Sequence, residues 1–258
     1  MLRLVYWLTN FRRDKYYCPV CKKKVAKFIP LPDYYANNLK KHGYCHSFDD
    51  VETLNYSAYS CPHCLSSDRD RLCALYIENY LIYERPKSSL FIIEIAPSKP
   101  LSEFVRQQDN VSLRTADLMM QGVDDLIDIT DMKYYQDHTF DFFICSHVLE
   151  HVPDDMKALR ELYRILKPGG RGILMVPIVL SLEEIDEDPG ENEVTERWRR
   201  FGQDDHVRLY SKQGYIDRVK RSGFQVHELG VSFFGKTNFI TTGISPSSVL
   251  YVVEKNSA

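Results

Sequence analysis

An α/β fold, a doubly wound parallel sheet with a small metal-binding module ahead of it, is predicted by three features of the sequence. From Ser88 onward, apolar strand-like runs alternate with amphipathic helices, the pattern of a parallel sheet covered on both faces. Before that point the chain carries two C-P-x-C turns and no such alternation. At 258 residues and 44% hydrophobic content the chain can bury a full core plus a small appendage, which excludes a disordered or fibrous protein. The expected division is residues 1–68 for the module and 69–258 for the α/β domain.

The front module rests on Cys18-Pro19-Val20-Cys21 and Cys61-Pro62-His63-Cys64. Two residues between cysteines let the chain fold back with both sulfurs aimed at one ion. Two such turns complete a tetrahedral set of four thiolates, the closed geometry of structural zinc, in a zinc-ribbon-like arrangement. Cys45 and His46 lack a partner at ligand spacing and are read as bystanders. Cys73 falls in the apolar stripe Leu72, Leu75, Tyr76, Tyr80 of a helix, where a thiol serves as a small hydrophobe. A redox role needs one C-x-x-C after a strand, and here there are two in loop-like surroundings. The apolar run Leu4 to Leu8 is too short for a signal-peptide core or a membrane span, so a cytoplasmic protein is expected, with thiols kept reduced.

The strands then follow in order. Leu90 to Ile95 is the first, with a turn at Ala96-Pro97-Ser98-Lys99-Pro100 and a helix to about Gln107. Val111 to Ala116 is the second and ends at Asp117; a short third spans about Leu126 to Ile129. Phe140 to Cys145 is the fourth, with Ser146 and His147 just beyond. Pro153 and Asp154 open a helix whose buried face is Met156, Leu159, Leu162, Tyr163 and Leu166, and Lys167-Pro168-Gly169-Gly170 stops it. Gly172 to Val176 is the fifth strand. A polar stretch from Ser181 to Asp205 precedes a helix at about Ser211 to Arg221 and strands near Phe224 to Glu228 and Val249 to Glu254. Ligands in such sheets sit at the carboxyl ends of strands where the strand order reverses, and Glu94, Asp117, Asp128 and Ser146 fall at or near such ends. A strand-terminal carboxylate suits a ribose diol, and a second acid suits an adenine amino group; singly, each acid is a turn former or helix cap.

The run Phe140-Asp141-Phe142-Phe143-Ile144-Cys145-Ser146-His147-Val148-Leu149-Glu150-His151-Val152, followed by Leu166-Lys167-Pro168-Gly169-Gly170 and a strand, resembles the central signature of class I S-adenosylmethionine-dependent methyltransferases. The resemblance covers Leu90 to the C-terminus and is most specific from Phe140 to Pro177. It implies a Rossmann-like sheet of seven strands, one of them antiparallel, with S-adenosyl-L-methionine as methyl donor. By position it implies that Glu94 opens the cofactor loop with Ala96, Pro97 and Ser98, and that Asp117, with Leu118, binds the ribose. Asp128 and Ile129 would flank the adenine, and Ser146 and His147 would lie beside the methionine end. The family's glycine-rich turn is replaced by Ala96-Pro97-Ser98-Lys99. That turn, the later Phe201-Gly202-Gln203 run and the cysteine knuckles resemble a bacterial subgroup. A nicotinamide dehydrogenase would need the missing glycines and would leave the Phe140 to Pro177 run unexplained.

The methyl acceptor is expected to be a small molecule or glycan, with an O or N atom methylated. In the alternative of an RNA methyltransferase, the zinc module recognises nucleic acid. Ten Lys or Arg against two acids from Met1 to Cys45 favour this; the acidic remainder, with a net charge of -3 overall, and the lack of an aromatic-rich basic stripe disfavour it. A catalytically silent zinc- and cofactor-binding protein is the third reading. The segment Phe201 to Tyr210 is expected to fold over the donor pocket. Gln203, Asp205, Arg208 and Tyr210 are its candidate acceptor contacts, Arg208 for an anionic group, and His206, then His147, the candidate general bases near neutral pH. On the bland reading, Asp205 and Arg208 form an exposed ion pair and His206 is a surface residue.

Overall fold

The computed structural model describes residues 15–81 and 89–257; the run Leu4 to Leu8, Arg3, Arg12, Arg13, Ser88 and the side chain of Tyr80 lie outside what it describes. Its centre is a seven-stranded sheet made of β3 (Leu90–Ile95), β4 (Val111–Asp117), β5 (Asp125–Leu126), β6 (Phe140–Ser146), β7 (Leu166–Met175), β10 (Gln225–Leu229) and β11 (Leu250–Glu254). The order across the sheet is β5-β4-β3-β6-β7-β11-β10. The five strands from β3 to β7 are mutually parallel, and β11 runs antiparallel to both β7 and β10. The chain leaves β3 toward β5 and returns to β6 on the other side, so the reversal of order opens a crevice between the carboxyl ends of β3 and β6.

Alternate side chains of each strand feed opposite faces. Ile92, Phe142, Ile144 and Ile173 enter one core with α2 (Asp68–Tyr76) and α3 (Lys99–Arg106). Ile93, Phe143, Cys145 and Leu174 enter the other with α4 (Asp155–Ile165) and α6 (Lys212–Arg221). Burial on both faces is why these strands read as unbroken apolar runs. Asp154 caps α4 by accepting from the Lys157 N–H, and Ser211 caps α6 by accepting from the Gly214 N–H.

The N-terminal segment comprises a hairpin of β1 (Tyr16–Cys18) and β2 (Lys23–Val25), helix α1 (Asp33–His42) and two short 3-10 turns at Phe48–Asp50 and Tyr56–Ala58. Val20, Val25 and Phe28 share the core of α2 and α3. Arg71 is fully buried and donates to the carbonyls of Ala58, Tyr59, Ser66, Thr242 and Gly243, tying this segment to α2 and to the C-terminal third of the chain.

Several elements depart from expectation. The stretch from Ser181 to Asp205 contains β8 (Asp186–Glu187), paired with β9 (Arg208–Leu209), and helix α5 (Val194–Phe201), which buries Trp198 and Phe201 and packs near α1. Helices α7 (Val231–Phe234) and α8 (Lys236–Thr242) fill the gap before β11. β7 begins at Leu166, so Lys167-Pro168-Gly169-Gly170 lies within the strand, at a register shift against Phe140 and Phe142 with Gly169 at φ 71°. A bulge of this kind tolerates the proline's missing donor. Glycine is required at 172, where a Cβ would come within 2.4 Å of the Phe143 ring. Strand β5 stops at Leu126, which leaves Asp128 in the following loop.

Candidate functional site

Two cavities meet at the carboxyl edge of the sheet. One, of about 360 Å³, lies in the β3–β6 crevice and is lined by Glu94, Ile95 and Ala96 from the end of β3, Ser98 from the next turn, Ile144 and Ser146 from β6, and Ser67, Arg69 and Asp70 at the start of α2. Ala96 takes φ 49°, the left-handed conformation normally left to glycine, so the turn keeps its shape with the smallest side chain that has a Cβ. Glu94 is buried; its Oε1 accepts from the Ser98 N–H at 3.1 Å and its Oε2 from the Ser102 hydroxyl at 2.6 Å. Burial raises its pKa to about 7 although both hydrogen bonds pull it down.

The second cavity, of about 290 Å³, is bounded by apolar and aromatic groups of the N-terminal segment, among them Leu31, Tyr35, Leu39, Tyr44 and Phe48, by Phe201 at the end of α5, and by Gly202, Gln203 and His206 after it. Its polar corner is made by His147, Glu150, His151 and His206. Tyr59, Arg69 and His147 line both cavities and form the seam between them. At the seam Arg69 Nη1 lies 2.7 Å from His147 Nδ1, and Arg69 Nη2 donates to the Tyr59 hydroxyl at 3.1 Å. A guanidinium only donates, so His147 Nδ1 accepts and its proton sits on Nε2. Burial, then the Arg69 charge, lowers the His147 pKa to about 4, so the ring is neutral at physiological pH. His147 also sits at φ 58°.

In the N-terminal segment the sulfurs of Cys18, Cys21, Cys61 and Cys64 all lie within 4.8 Å of one another, with Cys18–Cys64 and Cys21–Cys61 each at 3.8 Å. Zn–S bonds of about 2.3 Å in a tetrahedron put sulfurs about 3.8 Å apart, so the four residues fit a zinc ion. Ser66 is buried against Cys18 and Cys64, and the His63 N–H donates to Cys61 at 3.5 Å.

A profile of the methyltransferase domain matches residues 35–229, most of the chain. The chain belongs to the methyltransferase domain family. That assignment agrees with the methyltransferase expected from the Phe140 to Pro177 run. Among curated proteins, a demethylmenaquinone methyltransferase of Listeria welshimeri is 49% identical over 37 residues, 14% of this chain and 16% of that one. Another from Bacillus cytotoxicus is 44% identical over 41 residues, 16% of this chain and 17% of that one. The chain thus spans about a sixth of the length of these relatives. A SAM-dependent methyltransferase from Archaeoglobus fulgidus superposes with a TM-score of 0.46 at 11% identity, covering 74% of this chain and 95% of its own.

In this member of the family the cavities gather some of the residues expected from sequence and leave others out. Glu94, Ala96, Ser98, Ser146 and His147 share the first cavity; His147, Gln203 and His206 share the second. Pro97, Asp117, Leu118, Asp128 and Ile129 line neither. Asp117 ends β4 on the same edge, its Oδ1 accepting from the N–H groups of Met119 and Met120 at 2.7 Å each; Leu118 is exposed. Asp128 Oδ1 accepts from the Thr130 N–H at 2.7 Å, and Ile129 is buried in the core.

His206 is not a surface residue. It is 3% exposed, and its Nδ1 contacts the Phe201 carbonyl at 3.2 Å. Arg208 and Tyr210 differ most from expectation, because neither reaches a cavity. Arg208 is buried, its guanidinium donating to the carbonyls of Leu149, Val152 and Pro153 and to Glu187, so it is turned to the protein and not to an anionic acceptor. The Tyr210 hydroxyl donates to Asp155 at 2.6 Å. Asp205 pairs with His151 at 3.3 Å. Cys45 and His46 stay outside the four-cysteine cluster, and Cys73 is buried in the core.

Sequence reasoning missed Tyr59, Arg69, Glu150 and His151 as cavity residues. Glu150 and His151 stood inside the family signature; Arg69 carried the signal of Ser67-Asp68-Arg69-Asp70, a capping box that opens α2 at the crevice.

Proposed function

We propose that the protein transfers the methyl group of S-adenosylmethionine, held in the β3–β6 crevice, to an oxygen or nitrogen of a small molecule seated in the adjoining cavity. The carrying observation is that the two cavities share Tyr59, Arg69 and His147, so a donor and an acceptor would meet at that seam. The apolar, aromatic wall and the volume of the second cavity favour an acceptor with a ring-shaped or apolar body, a bare sugar less so, and the demethylmenaquinone methyltransferase likeness points the same way. None of Lys22, Lys23, Lys24, Lys27, Lys40 or Lys41 lines either cavity, which gives an RNA acceptor no support.

The bound donor supplies an electrophilic sulfonium methyl. Glu94, Ser98 and Ser146, with Arg69 and Asp70, would hold its methionine end, the free Oδ2 of Asp117 its ribose, and Asp128 its adenine. His147, neutral and carrying its proton on Nε2, would orient the acceptor by donating to it. His206 is assigned to activating the acceptor: with Nδ1–H donating to Phe201, the Nε2 lone pair is free, and burial lowers its pKa so that the ring is neutral. Gln203 lines the same cavity, and Arg208 and Tyr210 act as supports for the Leu149 to Pro153 loop. Alignment supplies much of the rate in such a transfer.

Residues 1–68 are proposed as a zinc-bearing segment, with one structural ion on Cys18, Cys21, Cys61 and Cys64, and 69–258 as the catalytic part. The deciding experiment is calorimetry with S-adenosylhomocysteine. Asp117→Asn keeps an oxygen for the turn but removes the charge, and should weaken binding about 10- to 100-fold. Unchanged affinity would remove Asp117 from the site, and no binding to the unaltered protein would remove the whole reading.

A further inference from the structure

Beside His206, the acceptor cavity contains two side chains, Glu150 and His151, to which the transfer described above gives no role. Glu150 is fully buried, and neither carboxylate oxygen accepts a hydrogen bond among the described residues. Its Oε1 is 3.1 Å from His147 Nδ1, but that nitrogen already accepts from Arg69 and has no proton to give. His206 Nε2 is likewise buried without a partner. Leaving a carboxylate and an imidazole nitrogen unpaired in the interior is costly, and such groups call for an explanation.

From these contacts we infer that Glu150, His151 and His206 form a binding site for a divalent cation, with coordination positions open toward the acceptor. One ligand atom from each lies within 4.8 Å of the others, and His151 Nε2 is 3.9 Å from Glu150 Oε1. Bonds of about 2.1 Å place neighbouring donor atoms about 3.0–3.4 Å apart, so closure onto an ion takes shifts of about an ångström.

The outer contacts support the same assignment. His151 Nδ1 faces the Asp205 carboxylate at 3.3 Å, and His206 Nδ1 faces the Phe201 carbonyl at 3.2 Å. Each contact fixes the proton on Nδ1 and frees Nε2, the arrangement that metal-binding histidines use. Two imidazoles and one carboxylate with open positions suit a first-row divalent ion, and the open side here is the cavity. The Arg69 guanidinium, beyond His147, opposes the ion, while Glu150 and Asp205 supply two negative charges for it.

The inference deepens the reading of this cavity as the acceptor site and rests on it. In the metal-free protein His206 Nε2 is a proton acceptor; with the ion bound it is a ligand.

The test is titration of Mn²⁺, and separately Zn²⁺, into the full-length protein with its cysteines already zinc-loaded, followed by calorimetry. One equivalent should bind with micromolar affinity, weakened at least tenfold in Glu150→Gln and in His151→Gln. The second variant alters a partly exposed residue and keeps the test open if the first fails to fold. Binding of neither ion below 1 mM, or equal binding in the folded variants, overturns the inference. Binding of S-adenosylhomocysteine by the same samples shows separately whether the methyltransferase reading stands.

Discussion

Glu94 couples the β3–β6 cavity to pH. Its carboxyl is raised from 4.5 to about 7 by burial, so the folded protein holds a proton there that the unfolded chain has released. A raised folded-state value contributes stability that is complete below pH about 4.5 and is lost as pH rises through about 7, roughly 3 kcal/mol in all. Glu94→Gln should remove this part of the pH dependence in urea unfolding curves; an unchanged slope between pH 5 and 7 would contradict the assignment. A cationic donor beside Glu94 favours the carboxylate, so its binding at pH 6 should release a proton, read as a difference in heat between two buffers of unlike ionisation enthalpy. The acid itself was legible in the sequence because it ends an apolar run. Its burial was not, since that depends on α2 and α3 closing over it.

At the scale of elements, the loop between β6 and α4 carries Glu150 and His151, and it is held by Arg208 of β9 through three main-chain carbonyls. Arg208→Met should cost about 3 kcal/mol, because buried carbonyls and the carboxylates of Asp155 and Glu187 lose a partner. Urea denaturation checks this, and a loss below about 1 kcal/mol would mean the latch is dispensable. The same residue marks a limit of reading from sequence: a guanidinium among polar neighbours looks like a ligand contact until its acceptors are known. The strands β3 and β6 were legible because both faces are buried, and α4 because its cap and its apolar spacing agree. Helix α5 was not, since its buried face consists of Trp198 and Phe201 within a run of charged residues. Tyr59 and Arg69 escaped notice because they reach the seam from a segment that precedes the sheet by tens of residues.

For the whole molecule, the decisive feature is that Cys18 and Cys61 are buried in the same core as Leu72, Ile92 and Phe142. If the four cysteines hold zinc, its removal should lower one shared thermal transition instead of melting a separate module, because metal affinity and folding are coupled there. Circular dichroism melts of Cys61→Ser would settle this: an early transition with the sheet's own midpoint unmoved would show the segment to be independent. The arrangement of the two cavities has a further consequence. The groove proposed for the donor is built from β3, β6 and the start of α2, whereas much of the wall proposed for the acceptor, from Leu31 to Leu54, belongs to one continuous stretch ahead of them. On that proposal, substitutions in the stretch would retarget the methyl group without touching the donor. A lineage could then diversify its products by drift in some two dozen residues while the strands behind them stay as they are.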